Sequence, residues 1–178
     1  MQPRHGRDDE DPTGVGESTN WVTEALGAVV PAAVARWAVT VDVHVENGTR
    51  VAADDADSES VIRLPVGEPV EFTVAIDNRL PAPVGVATPR LQLWQWAVDG
   101  EVEASDEPRR RSETSNELTL EAGETRRISR TWDGLFERTR GTRHRWVEPD
   151  PGRHTLSVAI QTEPPCARDS VTLDLVRR

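Results

Sequence analysis

From position 37 onward the chain alternates apolar and polar residues with a period of two. In "VTVDVHVE", Val39, Val41, Val43 and Val45 fall on one side and Thr40, Asp42, His44 and Glu46 on the other. That is the pattern of a half-buried strand. The pattern returns in "VIRLPVGEPVEFTVAIDN", a short strand, a Pro-Val-Gly-Glu turn and a longer strand with Val70, Phe72, Val74 and Ile76 pointing one way. It returns again in "RLQLWQWAVDGEV", where Asp99-Gly100 is a turn signal, and in "ELTLEAGETRRISRTW", two strands about an Ala-Gly turn. "DPGRHTLSVAIQ" places Leu156, Val158 and Ile160 inward, and "DSVTLDLV" does the same with Val171, Leu173 and Leu175.

Between these segments lie turn and loop signals. Asn47-Gly48 opens the acidic stretch "ENGTRVAADDADSES", "RLPAPVG" reads as a loop, and "ASDEPRRRSETSN" is polar throughout. Seven to nine short strands with no helical period between them predict an all-β fold, an immunoglobulin-like antiparallel β-sandwich.

Upstream the period changes. Val22, Leu26, Val29, Val30, Ala33 and Trp37 recur at helical spacing behind Asn20, an N-cap residue type, with Pro31 interrupting. A broken helix, or two short ones, is expected over about 20–35. The division that follows is a disordered acidic head over 1–20, a helical segment over 21–36 that packs on the domain, and the sandwich over 37–178.

Composition then narrows the function classes. The chain of 178 residues carries 31 acidic residues against 21 basic ones, net charge -10, and every basic residue is arginine. An acidic, lysine-free chain reads either as a halophilic protein of a concentrated-salt cytoplasm, where salt screens carboxylate repulsion, or as the product of a GC-rich genome that favours arginine codons. It argues against general nucleic-acid binding, which needs basic residues to neutralise phosphate. The single cysteine, Cys166, excludes an internal disulfide and suits a reducing compartment. The polar first 20 residues do not read as a signal peptide. The best apolar window, 25–39, is too short to span a bilayer and contains Arg36. A soluble, cytoplasmic protein with no membrane partner is expected.

Little in the chain points to catalysis. His5, His44, His144 and His154 are scattered, and no nucleophile–base pair has a local signature. Cys166 sits in "EPPCARD" as a free thiol with no visible activating base. No enzyme activity, cofactor or metal centre is expected. The alternating acids of 54–60 (Asp55, Asp57, Glu59) offer oxygen ligands, but not the glycine and distal glutamate of a calcium loop.

Two other clusters are candidates for binding. Trp94 and Trp96 share a strand face with Val98, either as core or as an exposed aromatic surface for sugars or a protein. The segment "LFERTRGTRHRW" inverts the charge of the chain. Without Glu137 and its four arginines, the remainder has 17 arginines against 30 acidic residues, net -13. Arg138, Arg140, Arg143, His144, Arg145 and Trp146 are therefore candidate partner-binding residues on a loop between strands. The bland alternative is charge balance with acidic neighbours, which stabilises little at an exposed site.

Three ordered motifs carry a family likeness over about 66–176. Leu120-x-x-Gly123-Glu124 is followed by a strand ending at Trp132, then by Pro151-Gly152-x-x-Thr155-Leu156. Together with "VEFTVAIDNRLPAPV", this set resembles the BsuPI family of intracellular proteinase inhibitors, which have an immunoglobulin-like sandwich. His154 stands where that family has tyrosine, Leu91–Trp96 replaces its Tyr-Asp-Phe strand motif, and the link from Trp132 to Gly152 is longer and more basic. The resemblance implies a non-enzymatic protein-binding module whose partner is a serine proteinase met by a presented loop. The alternatives from other classes are a carbohydrate- or envelope-binding module using Trp94 and Trp96, and a structural accessory domain without a ligand.

Overall fold

The structure is a computed structural model that describes residues 29–30, 37–51, 61–88, 92–107, 116–162 and 165–177. The acidic head, most of the helical expectation and the acidic loop 54–60 lie outside the described residues. Inside the helical expectation, the described pair β1 (Val29–Val30) is a strand. It pairs in parallel with β6 (Val84–Thr88), a register in which backbone groups are satisfied across the sheet.

The elements in chain order continue as β2 (Val39–Val45), β3 (Thr49–Val51), β4 (Val61–Pro65), β5 (Val70–Asn78), then β6, β7 (Trp94–Val98) and β8 (Glu101–Val102). They end with β9 (Asn116–Leu120), β10 (Thr125–Trp132), β11 (Phe136–Arg140), β12 (Arg143–Val147), β13 (Gly152–Ile160) and β14 (Arg168–Val176). This is an immunoglobulin-like β-sandwich. One layer is the six-stranded sheet β3-β4-β14-β13-β7-β8, and β10-β5-β2 faces it. A third small sheet, β1-β6-β9, extends the wall, and β11-β12 stands as a two-stranded sheet of its own.

The fourteen strands among the described residues exceed the expected seven to nine. Three regions read as loops contain strands: β3 within the acidic stretch, β6 beginning inside the Pro-rich "RLPAPVG", and the β11–β12 hairpin. β3 is too short to show a period, and β6 is buried at Val84, Gly85 and Val86 in succession, so it does not alternate. Pairing is antiparallel except for β1–β6 and for β4–β14, where Val61 to Pro65 run parallel to Thr172 to Val176. The chain thereby closes its last strand against an early one.

The inward faces expected from the alternation form one contiguous core. Val39, Val41 and Val45 are buried on β2, and Val70, Phe72, Val74 and Ile76 on β5. Leu156, Val158 and Ile160 fill β13, and Leu173 and Leu175 fill β14. Val43 and Val171 are half-buried and pack on its margin.

Two polar devices close the corners. Buried Asn78, at the end of β5, donates through Nδ2 to the carbonyls of Ala82 (2.8 Å) and Glu121 (2.8 Å), and more weakly to Leu120 (3.4 Å). Its Oδ1 accepts from the Leu80 N–H at 3.0 Å. One side chain thus ties the 79–83 loop to the β9–β10 connection. At the other end, Asp99 and Gly100 take positive φ (51° and 83°) and turn β7 into β8, as their sequence signal requires.

A basic hairpin anchored on the core

The candidate site is β11–β12. Its residues were expected to form a loop, and they form a β-hairpin instead. Arg140 pairs with Arg143 across a two-residue turn, Gly141-Thr142. Gly141 sits at φ 64°, the conformation that a hairpin turn asks of its first central residue. The signal for this was present in the alternation Phe136-x-Arg138-x-Arg140 on one side of the glycine and Arg143-x-Arg145-x-Val147 on the other. It was masked because arginine takes the place of the usual apolar residues.

Register decides which side chains share a face. The pairs Phe136–Val147, Arg138–Arg145 and Arg140–Arg143 lie on one face, and Glu137–Trp146 and Thr139–His144 on the other. All four arginines therefore project to the same side. They line a concavity of about 590 Å³ with Val147 and Asp106, which Thr139 and His144 also border. On the opposite side His144 Nδ1 lies 2.8 Å from Glu137 Oε1, and Trp146 is 58% exposed.

The base of the hairpin is rigidly built. Buried Trp132 ends β10, donates from Nε1 to the Leu135 carbonyl at 2.7 Å, and meets the buried Phe136 ring at 5.6 Å. The segment 104–106 runs parallel beside β11. Glu137 N donates to the Ala104 carbonyl (2.8 Å), Ser105 Oγ donates to Glu137 Oε2 (2.9 Å), and Thr139 N donates to Asp106 Oδ1 (2.7 Å). To reach this position, Glu103 and Ala104 both adopt left-handed backbone, at φ 51° and 52°. Two successive non-glycine residues there store about 1–3 kcal/mol each, a strain that the contacts with β11 hold in place.

Arg138 belongs to the brace. Its guanidinium pairs with both carboxylate oxygens of Glu101 and lies 4.8 Å over the Phe136 ring. The Glu101 hydrogen bond, opposed by partial burial, raises its pKa further above the ordinary arginine value. The bracing residues Glu101, Ser105, Asp106 and Phe136 were not legible as a group in the sequence, because they meet only through tertiary pairing.

Trp94 and Trp96 are half-buried against the core. Trp96 meets Phe72 edge-on at 5.5 Å, and the Arg130 guanidinium lies 5.5 Å over Trp94. They border a cleft of about 280 Å³ with Gln92, Gln95, Glu103 and Asn116. Cys166 is a half-buried free thiol whose pKa is pushed up by burial, which disfavours the thiolate. Among the described residues no group of histidine, cysteine and carboxylate side chains is arranged to hold a metal. No helix there is long and apolar enough to cross a membrane.

His154 has a structural task. Nδ1 lies 2.6 Å from Asp99 Oδ2 and Nε2 lies 2.7 Å from the Asp150 carbonyl, so both ring nitrogens face acceptors. Only the imidazolium can donate to both. Burial opposes the charge, but the Asp99 carboxylate and the Asp150 carbonyl outweigh it and raise the pKa above the ordinary value. The unfolded chain titrates near pH 6.5. The stabilisation is therefore full below that pH and lost as pH rises through the higher folded value. Urea midpoints should fall over this window in the intact chain. The fall should flatten in His154→Phe, and an unchanged slope in that variant would remove this role.

A family model matches residues 27–176 and carries the description "Family of unknown function (DUF7974)". The chain belongs to that family. No curated protein matches it. Among solved structures, the beta-glucosidase from Listeria innocua in complex with isofagomine aligns at TM-score 0.40 and 13% identity, over 77% of this chain and 16% of that one. The CARDB domain of the PF1109 protein in complex with di-metal ions, from Pyrococcus furiosus, aligns at TM-score 0.40 and 10% identity, over 78% and 87% of the two chains. Bifidobacterium adolescentis GH3 beta-glucosidase gives 0.37 and 16%, over 76% and 17%. This DUF7974 chain thus spans about a sixth of the length of the glucosidases it matches. Neither the sugar ligand nor the metal ions of those proteins are carried over to it.

Proposed function

We propose that this DUF7974 chain is a protein-binding module without catalytic activity, which presents the β11–β12 hairpin to a protein partner. The observation that supports this is the combination of a rigid base and an exposed tip. Trp132, Phe136 and the 104–106 segment immobilise one end, while Arg143, His144, Arg145 and Trp146 are exposed along β12. Presenting a pre-ordered strand lowers the entropy lost on association, and an exposed Trp beside arginines is the composition of an interface hot spot.

The likeness to the BsuPI family makes a serine proteinase of the same cells the first partner to test. Inhibition would then be steric, with the hairpin occupying the enzyme's cleft. Sugar binding at Trp94 is less favoured, because Arg130 already covers a face of that ring.

A photoreactive amino acid in place of His144 should give a discrete adduct from native extract, and Trp146→Ser should remove it. Proteinase activity should fall as purified chain is titrated in. The proposal fails if no adduct forms at β12 and no inhibition occurs at large molar excess.

A further inference from the structure

We propose that the occupant of the hairpin is an extended acidic peptide segment of the partner, which adds to the free edge of β12 and sets alternate carboxylates on the arginine face. This rests on the protein-binding reading above and specifies its chemistry.

Three observations on the hairpin lead there. The first is charge without compensation. Arg138 faces Arg145, and Arg140 faces Arg143, directly across the two strands. Like charges so placed destabilise a hairpin. Of the four, only Arg138 is neutralised by a salt bridge among the described residues, to Glu101. Arg140, Arg143 and Arg145 have no ion-pair partner among the described residues, and the concavity holds one acid, Asp106, against the four arginines. An arrangement unfavourable in the free chain becomes favourable once an anion lies between the guanidinium groups.

The second is an open edge. β12 pairs with β11 alone among the described residues, whereas the far side of β11 is taken by the 104–106 segment. In an antiparallel pair every second residue turns its N–H and C=O away from the partner strand, so β12 offers these groups to a further strand.

The third is spacing. Arg143 and Arg145 are two residues apart, about 7 Å along a strand. An added strand with acids at alternate positions repeats at the same distance. Guanidinium groups suit this task because they bind carboxylates through two parallel hydrogen bonds, a geometry that ammonium lacks.

The surrounding charge selects a peptide over a nucleic acid. Outside the hairpin segment the chain carries 17 arginines against 30 acidic residues. A long polyanion leaving the small arginine face would run over acidic surface. A short acidic strand need touch only the hairpin.

The test uses fluorescence anisotropy with the full chain, at the lowest salt at which circular dichroism shows it folded. The labelled probes are (Glu-Thr)5, its neutral counterpart (Gln-Thr)5, and a ten-nucleotide oligouridylate. (Glu-Thr)5 should bind and (Gln-Thr)5 should not. Arg143→Ser with Arg145→Ser should loosen Kd about tenfold or more. The charge-matched control Arg127→Ser with Arg168→Ser, on β10 and β14 rather than on the hairpin, should leave it within about twofold, since neither residue lies on the added strand's path. N-methylation of alternate residues of (Glu-Thr)5 should abolish binding, because an added strand needs its N–H groups.

Equal loss in both arginine variants, or binding that survives N-methylation, overturns the inference. So does oligouridylate binding more tightly than peptide. If (Glu-Thr)5 fails while the His144 crosslink persists, only the acidic-strand assignment falls. If (Glu-Thr)5 binds but neither an adduct at β12 nor proteinase inhibition is found, the affinity of β12 for an acidic strand stands, and the partner reading falls together with the assignment of the occupant to it.

Discussion

Replacing Trp132 with alanine is expected to destabilise the sandwich by about 3–5 kcal/mol, the largest effect of any single truncation proposed for this chain. The side chain is 2% exposed and lies between the core and the hairpin base. Three losses combine: the transfer free energy of a large aromatic, the cavity it leaves, and the hydrogen bond from Nε1 to the Leu135 carbonyl. Against a total of about 5–15 kcal/mol for a domain of this kind, that is a large fraction. Urea denaturation at fixed salt measures it. The same variant should lose the anchoring of Phe136, so proteolysis should cleave near the hairpin before the sandwich unfolds. Trp132→Phe keeps much of the volume and loses the donor, so it should fall between the two. A Trp132→Ala midpoint within error of the intact chain would sink the view that the hairpin is built from the core outward.

The second large effect is expected from Asn78→Asp. The two side chains have nearly the same shape, so packing is conserved and only chemistry changes. In the intact chain Nδ2 donates to carbonyls of Ala82, Glu121 and Leu120. An aspartate puts an oxygen against those oxygens, in a site that is 2% exposed. Burial and the facing carbonyls both raise its folded pKa above the unfolded value of about 3.9. The neutral form is therefore the one the fold tolerates. Stability of the variant is greatest below about pH 4 and falls as pH rises through the folded pKa. At neutral pH the loss should reach about 3 kcal/mol, the cost of an unpaired buried polar group or charge. Denaturation curves at pH 4 and pH 7 test the sign. A variant equally stable at both would show that the corner relaxes to admit water.

The strands of the two main layers were legible because burial on one side imposes alternation. Val39 to Val45, Val70 to Ile76, Leu156 to Ile160 and Leu173 to Leu175 could be assigned to the core from sequence alone. Asp99-Gly100 was equally legible, since φ above zero at both positions restricts the residues that fit. β6 escaped notice because Val84, Gly85 and Val86 are buried in succession, which removes the period. The hairpin escaped for the opposite reason. It alternates, but with arginines on one face and Glu137, Thr139, His144 and Trp146 on the other, so no hydrophobic period marks it.

What the sequence determined by itself was an all-β domain, its core faces, and a segment of inverted charge after Trp132. Those properties follow from local periodicity and composition, which each short stretch of chain carries on its own. Tertiary structure decided that the segment is a hairpin and that its four arginines share one face. It also decided that, among the described residues, only Arg138 of the four has an ion-pair partner, Glu101 from a strand 37 residues away in sequence. Register and long-range pairing decide these things. A shift of one residue would have sent the same arginines to the opposite side.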